Sequence, residues 1–136
     1  MNPVVHFELP YDDRQRIARF YETAFSWKLQ MMGEEMGNYV LATTAGKDSA
    51  ATAFRGSING GFFPRDPKLP GQHPSVVIGV EDIQASMKTV NRAGGEVLGE
   101  PMMIPGVGQY VAFYDTEKNR LSMLQPLPQQ QAHGAG

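Results

Sequence analysis

The chain writes one phrase twice. "GNYVLATT" at 37–44 returns as "GQYVAFYD" at 108–115, an offset of 71. The likeness extends to either side. With an offset of 69, "VHFELPYDD" (5–13) falls on "PSVVIGVED" (74–82), each a short run of apolar and β-branched residues closed by an acidic pair. Helical spacing follows in both halves: Ile17, Phe20, Tyr21 and Ala24 in the first, Ile83, Met87 and Val90 in the second. The acidic pairs stand where a side-chain oxygen can cap the first backbone N–H groups of a helix. "AFSWKL" (24–29) then falls on "AGGEVL" (93–98), with Gly94 and Gly95 as the helix stop. Finally "INGGFFP" (58–64) falls on "RLSMLQP" (120–126) with an offset of 62. The offsets differ because the first half carries "AGKDSAATAFRGS" where the second has only "TEKN", and loops absorb such differences at small cost. Each half reads strand–helix–strand–strand–strand.

A duplicated unit of this length fits one globular domain at 136 residues and 41% hydrophobic content. Cysteine is absent, which excludes disulfides, zinc–thiolate sites and thiol nucleophiles. The net charge of −2 has no basic block, which argues against a nucleic-acid partner. No apolar run approaches the roughly 18 residues of a membrane span, and "MNPVVHFELP" lacks the pattern of a secretory signal. A cytoplasmic location without membrane association is the expectation. The polar end, 127–136, reads as a disordered tail in which His133 has no role.

A βαβββ unit occurring twice resembles the vicinal oxygen chelate superfamily, which holds glyoxalase I, bleomycin-resistance proteins and extradiol dioxygenases. The resemblance covers about residues 3–126 and rests on "VHFELPYDDRQRIARFYETAFSWKL", "VEDIQASMKTVNRAGGEVL" and "GQYVAFYDTEKNRLSMLQP". The last is similar to the family's closing strand, D-P-E-G-N turn and strand, with Thr116 and Lys118 departing from Pro and Gly. It implies an α+β fold of two tandem modules, 3–64 and 74–126, in a curled mixed sheet with an internal cavity. It also implies a homodimer. Phe7, Leu9, Val76, Ile78 and Val80 would then lie beneath helices. His6, Glu8, Ser75 and Val77 would face the cavity by strand alternation.

Metal enzymes of the superfamily place His, Gln or Glu on the first and last strands of each module. The repeat puts those positions at His6, Gly60, Ser75 and Ser122. A glycine and two neutral serines are poor partners for zinc, nickel or iron, so His6 is the only ligand-type residue retained. A rearranged set of His6, Glu8 and His73 is the alternative. His73 however sits about 7 Å along the strand from Ser75, and it reads more simply as part of the loop "RDPKLPGQHP". His6 and Glu8 are candidates for acid–base work or for gripping a polar ligand group. They are equally able to satisfy each other or the backbone. Counting from Gly60, Phe62 faces the cavity. It and Trp27 are candidates for stacking on a flat ligand, although packing over the helix end is the stronger reading of Trp27. Met31, Met32, Met102 and Met103 flank loops that would rim a pocket.

The expected protein therefore binds a small organic molecule without metal or other cofactor. A metal-dependent lyase of the lactoylglutathione-lyase kind, or a dioxygenase, is the alternative. A sequestering subunit with a vestigial cavity is the third reading.

Overall fold

The computed structural model describes residues 1–46, 56–70 and 72–128. His133, nearly all of the expected tail and most of the long first-half loop lie outside them. In chain order come β1 (Val4–Tyr11), α1 (Arg14–Phe25), β2 (Lys28–Met31), a 3₁₀ turn (Glu34–Met36), β3 (Val40–Thr43) and β4 (Gly60–Pro64). The second half repeats the order with β5 (Ser75–Gly79), α2 (Ile83–Arg92), β6 (Glu96–Ile104), β7 (Gly108–Tyr114) and β8 (Arg120–Pro126). The α+β reading and the tandem βαβββ order both hold. Two compact units result, Val4–Val76 and a second made of Met1–Pro3 with Val77 onward. No helix among the described residues is long and apolar enough to cross a membrane.

In the first unit the strands run β2-β3-β4-β1, with β1 parallel to β4 and the other pairs antiparallel. Helix α1 starts where Asp13 accepts a hydrogen bond from the Arg16 N–H at 3.0 Å, and stops at Ser26 in the left-handed region. Ile17 and Tyr21 of α1 pack on the sheet against Phe7 and Leu9, together with Tyr11, Val40, Ala42 and Phe62. Trp27 closes this core, stacked on Tyr21 at 4.5 Å between ring centroids and 5.4 Å from Phe7. Packing over the helix end is thus its role.

The second unit runs β5-β8-β7-β6, again with one parallel pair, β5 with β8. Asp82 caps α2 through the Ala85 N–H, and Gln125 of β8 accepts the Ile83 N–H at 2.9 Å, tying the helix start to the sheet. Ile83, Val80, Val111, Phe113 and Met123 form the core, with Ile78, Met87, Val90, Val97 and Leu121 against it. Val76, expected beneath α2, is half-buried and is not part of that cluster. The β7–β8 turn hangs on Asp115. Its carboxylate accepts the backbone N–H groups of Glu117 and Asn119 and the Asn119 side-chain amide, all at 2.8–2.9 Å. Lys118 takes the left-handed conformation, φ 68°, that the family's glycine would adopt freely.

The strand registers correct one alignment. Val40 pairs with Phe62, and its repeat partner Val111 pairs with Met123. The last strands therefore match with an offset of 61, not 62, and Gly61 is the counterpart of Ser122. One residue along a strand reverses the face. Phe62, fully buried in the α1 core, does not face away from the helix, and neither does Gly60, where an added Cβ would strike the Phe7 ring. Gly61 and Phe63 occupy the opposite face.

Two outcomes follow. Phe62→Ala should cost about 3–5 kcal/mol in urea unfolding, as for other buried aromatic truncations, and Phe63→Ala far less. The hydrogen bonds from Asn119, then Glu117, hold the Asp115 carboxyl below its usual range. A depressed carboxylate stabilises the fold above its unfolded pKa, and that stabilisation is lost as pH falls through the folded value. Melting temperature followed into acid should therefore fall less steeply in Asp115→Asn than in the parent.

Candidate functional site

Strand alternation leaves His6 and Glu8 on the face of the first sheet opposite α1, since Phe7 and Leu9 take the helix side. Glu8 stands beside Gly61, and Gly61 beside Leu41. Tyr39, immediately before β3, lays its ring over Gly61, so closely that any Cβ there would collide with the ring and its hydroxyl. That hydroxyl is the hub of the site. It lies 2.9 Å from His6 Nε2 and donates to Glu8 Oε2 at 3.0 Å. The His6 and Tyr39 rings are near-parallel, 17° between planes, at 6.4 Å. Burial disfavours the charged imidazole and lowers the His6 pKa.

The second unit carries a counterpart. Tyr110, the repeat partner of Tyr39, accepts a hydrogen bond from Ser122 Oγ at 2.6 Å, and Ser122 is itself buried. Val77 is buried next to Ser122 in the β5–β8 register, and Ser75 shares its strand face. In each unit the tyrosine of the repeated phrase thus engages the last-strand position, Gly61 or Ser122. Neither tyrosine was a candidate from sequence, although the repeat that opens "NYV" and "QYV" displays both.

His6 and Glu8 are brought together, through Tyr39. Trp27, Gly60 and Phe62 are not with them, being on the helix side of the sheet. A depression of about 410 Å³ lined by Phe7, Leu9, Trp27, Pro74, Ser75 and Val76 also lies across β1 from His6 and Glu8. His73 is exposed in the loop before β5. Among the described residues no three His, Asp or Glu side chains are grouped so as to hold an ion, so His6, Glu8 and His73 do not form a set. The corrected family positions are His6, Gly61, Ser75 and Ser122. They offer one imidazole, two neutral hydroxyls and no fourth side chain, a donor set that does not fit a divalent metal. Met102 and Met103 are exposed on β6 beyond a register shift, and Met31 ends β2.

The family model of the Glyoxalase/Bleomycin resistance protein/Dioxygenase superfamily matches residues 4–123. A glyoxylase-like domain-containing protein of Didymella fabae is 28% identical over 119 residues, covering 82% of this chain and 84% of that one. The anthracycline biosynthesis protein DnrV of Streptomyces peucetius is 32% identical over 117 residues, 80% of this chain and 42% of its own. A mycobacterial protein named as a glyoxylase, CFP32, is 37% identical over 67 residues, 48% of this chain and 26% of its own. The chain thus spans about a quarter of that relative's length. Among solved structures, methylmalonyl-CoA epimerase from Mycobacterium tuberculosis aligns with TM-score 0.67 at 13% identity, over 95% of this chain and 91% of that one. A methylmalonyl-CoA epimerase in complex with methylmalonyl-CoA and NH4+ aligns with TM-score 0.68 at 14% identity, over 93% and 95%. At such identity they show a shared fold.

The packing of Tyr39 on Gly61 sets a double-mutant test. Gly61→Ala should destabilise by about 1–3 kcal/mol, as overpacking does. In a Tyr39→Ala background the same change should be close to neutral, a coupling readable by urea unfolding of the four proteins.

Proposed function

The chain belongs to the Glyoxalase/Bleomycin resistance protein/Dioxygenase superfamily, and from that premise we propose that it binds a small organic molecule without a divalent metal. The observation that carries this reading is the donor set: His6 is the only ligand-type residue at the family's metal positions, where Gly61, Ser75 and Ser122 supply no second strong ligand. Gly61, against which Tyr39 lies, supplies no side chain, and one gained there would have to displace the ring.

The face around these groups suits such a molecule. Leu41 is exposed and Phe63 half-buried on the same side as His6, Glu8 and Tyr39, so an apolar body has surface to cover beside a compact polar cluster. Curated relatives are named for glyoxylases and for anthracycline biosynthesis, and neighbours in fold bind CoA derivatives. These names span reactions and ligands too varied to transfer one to this chain. The reading extends to a soluble protein that acts as a homodimer in the cytoplasm.

Metal content decides between this reading and a lyase or dioxygenase. Protein purified without chelator and incubated in turn with zinc, nickel, manganese and ferrous iron should retain well under one ion per chain. About one ion per chain, lost in His6→Ala, would sink the proposal in favour of the metal enzyme.

A further inference from the structure

The hydrogen bonds at Tyr39 have a direction, and the direction reaches His6. A phenol has one proton to give. Tyr39 gives it to Glu8 Oε2, and an ionised carboxylate can only accept. The 2.9 Å contact with His6 must then run the other way, from imidazole N–H to phenol oxygen. Nε2 therefore carries the proton, and in the neutral ring Nδ1 carries a lone pair. No described residue hydrogen-bonds Nδ1. Among the described residues no buried side-chain nitrogen or oxygen is left without a partner, so Nδ1 is open to solvent.

We infer that Tyr39 is a positioning residue that holds His6 as its Nε2–H tautomer, and that the site accepts a neutral ligand through a hydroxyl or N–H donated to His6 Nδ1. The inference rests on the metal-free reading above. The recognised ligand has a hydrogen-bond donor on an apolar body, the donor meeting Nδ1 and the body meeting Leu41 and Phe63. Carboxylates are selected against, because in ionised form they bring no proton to Nδ1. Gly61 belongs to the device because only a residue without Cβ lets the Tyr39 ring lie close enough to the sheet to reach both partners.

The test is two-bond nitrogen–proton correlation NMR on uniformly ¹⁵N-labelled protein in the presence of chelator. His6 should show the Nε2–H pattern, with Nδ1 at the resonance of an unprotonated nitrogen. Tyr39→Phe keeps the ring over Gly61 but removes the phenol, and should turn His6 into a mixture of tautomers. Glu8→Gln keeps an acceptor for Tyr39 and should preserve the parent pattern. An Nδ1–H pattern in the parent, or no change in Tyr39→Phe, overturns the inference. Benzyl alcohol should move the Nδ1 resonance toward its hydrogen-bonded position, while benzoate at equal concentration should not. An equal or larger response to benzoate overturns the ligand class, and an Nδ1 that answers neither is no open acceptor, which overturns it as well. Zinc shifting the His6 signals once chelator is removed would instead sink the metal-free reading. A wrong tautomer with no zinc response would sink this inference alone.

Discussion

Everything on the open face is decided by what the helices bury on the other. A regularly paired strand alternates, so once Phe62 is enclosed beneath α1 its neighbour Gly61 is committed to the far side. Met123 beneath α2 commits Ser122 in the same way. The aromatic packing of Phe62, Tyr21 and Trp27 therefore acts as the reference from which every open-face position is counted. A shift of one residue in β4 would bury Gly61 and Phe63 and turn Phe62 outward, at the expense of the best-filled part of the first core.

That dependence explains which features were legible in the sequence. Strand and helix order were readable because each is a local pattern: alternating β-branched runs, apolar residues at helical spacing, an aspartate at each helix start. Asp115 and Asn119 announced the β7–β8 turn, and the turn is built on them. The frame of β4 was not readable. "GGFFP" sets two glycines and two phenylalanines side by side, so either frame presents the same residue types to either face. Only the pairing of Val40 with Phe62, a contact between distant parts of the chain, selects one. The strand face of His6 and Glu8, opposite Phe7 and Leu9, was readable because "VHFEL" alternates cleanly. The role of Tyr39 is hidden in the sequence for the opposite reason: a tyrosine beside valine and leucine reads as ordinary strand material. Its hydroxyl acquires a task only when β3 is laid beside β4 and β1.

The two units use one device to different ends. In each, the tyrosine of the repeated phrase turns toward the last-strand position, where it finds a glycine in one case and a buried serine in the other. In the first unit the phenol lies flat on the sheet and gathers two ionisable side chains. In the second it accepts a hydrogen bond from a serine hydroxyl. A duplicated scaffold has thus kept its geometry while its halves drifted apart in chemistry, and site residues rather than fold carry the functional argument.

The contact between Tyr39 and Gly61 also bears on what this lineage can become. Any side chain gained at position 61, whether carboxylate, amide or imidazole, must first displace the ring. Loss of the ring alone leaves His6 without its hydrogen-bond partner. The two positions are therefore coupled, and a change at one alters the cost of a change at the other. A descendant could more readily acquire new ligand preferences through Leu41 or Phe63, at the rim, than through the strand positions at its centre.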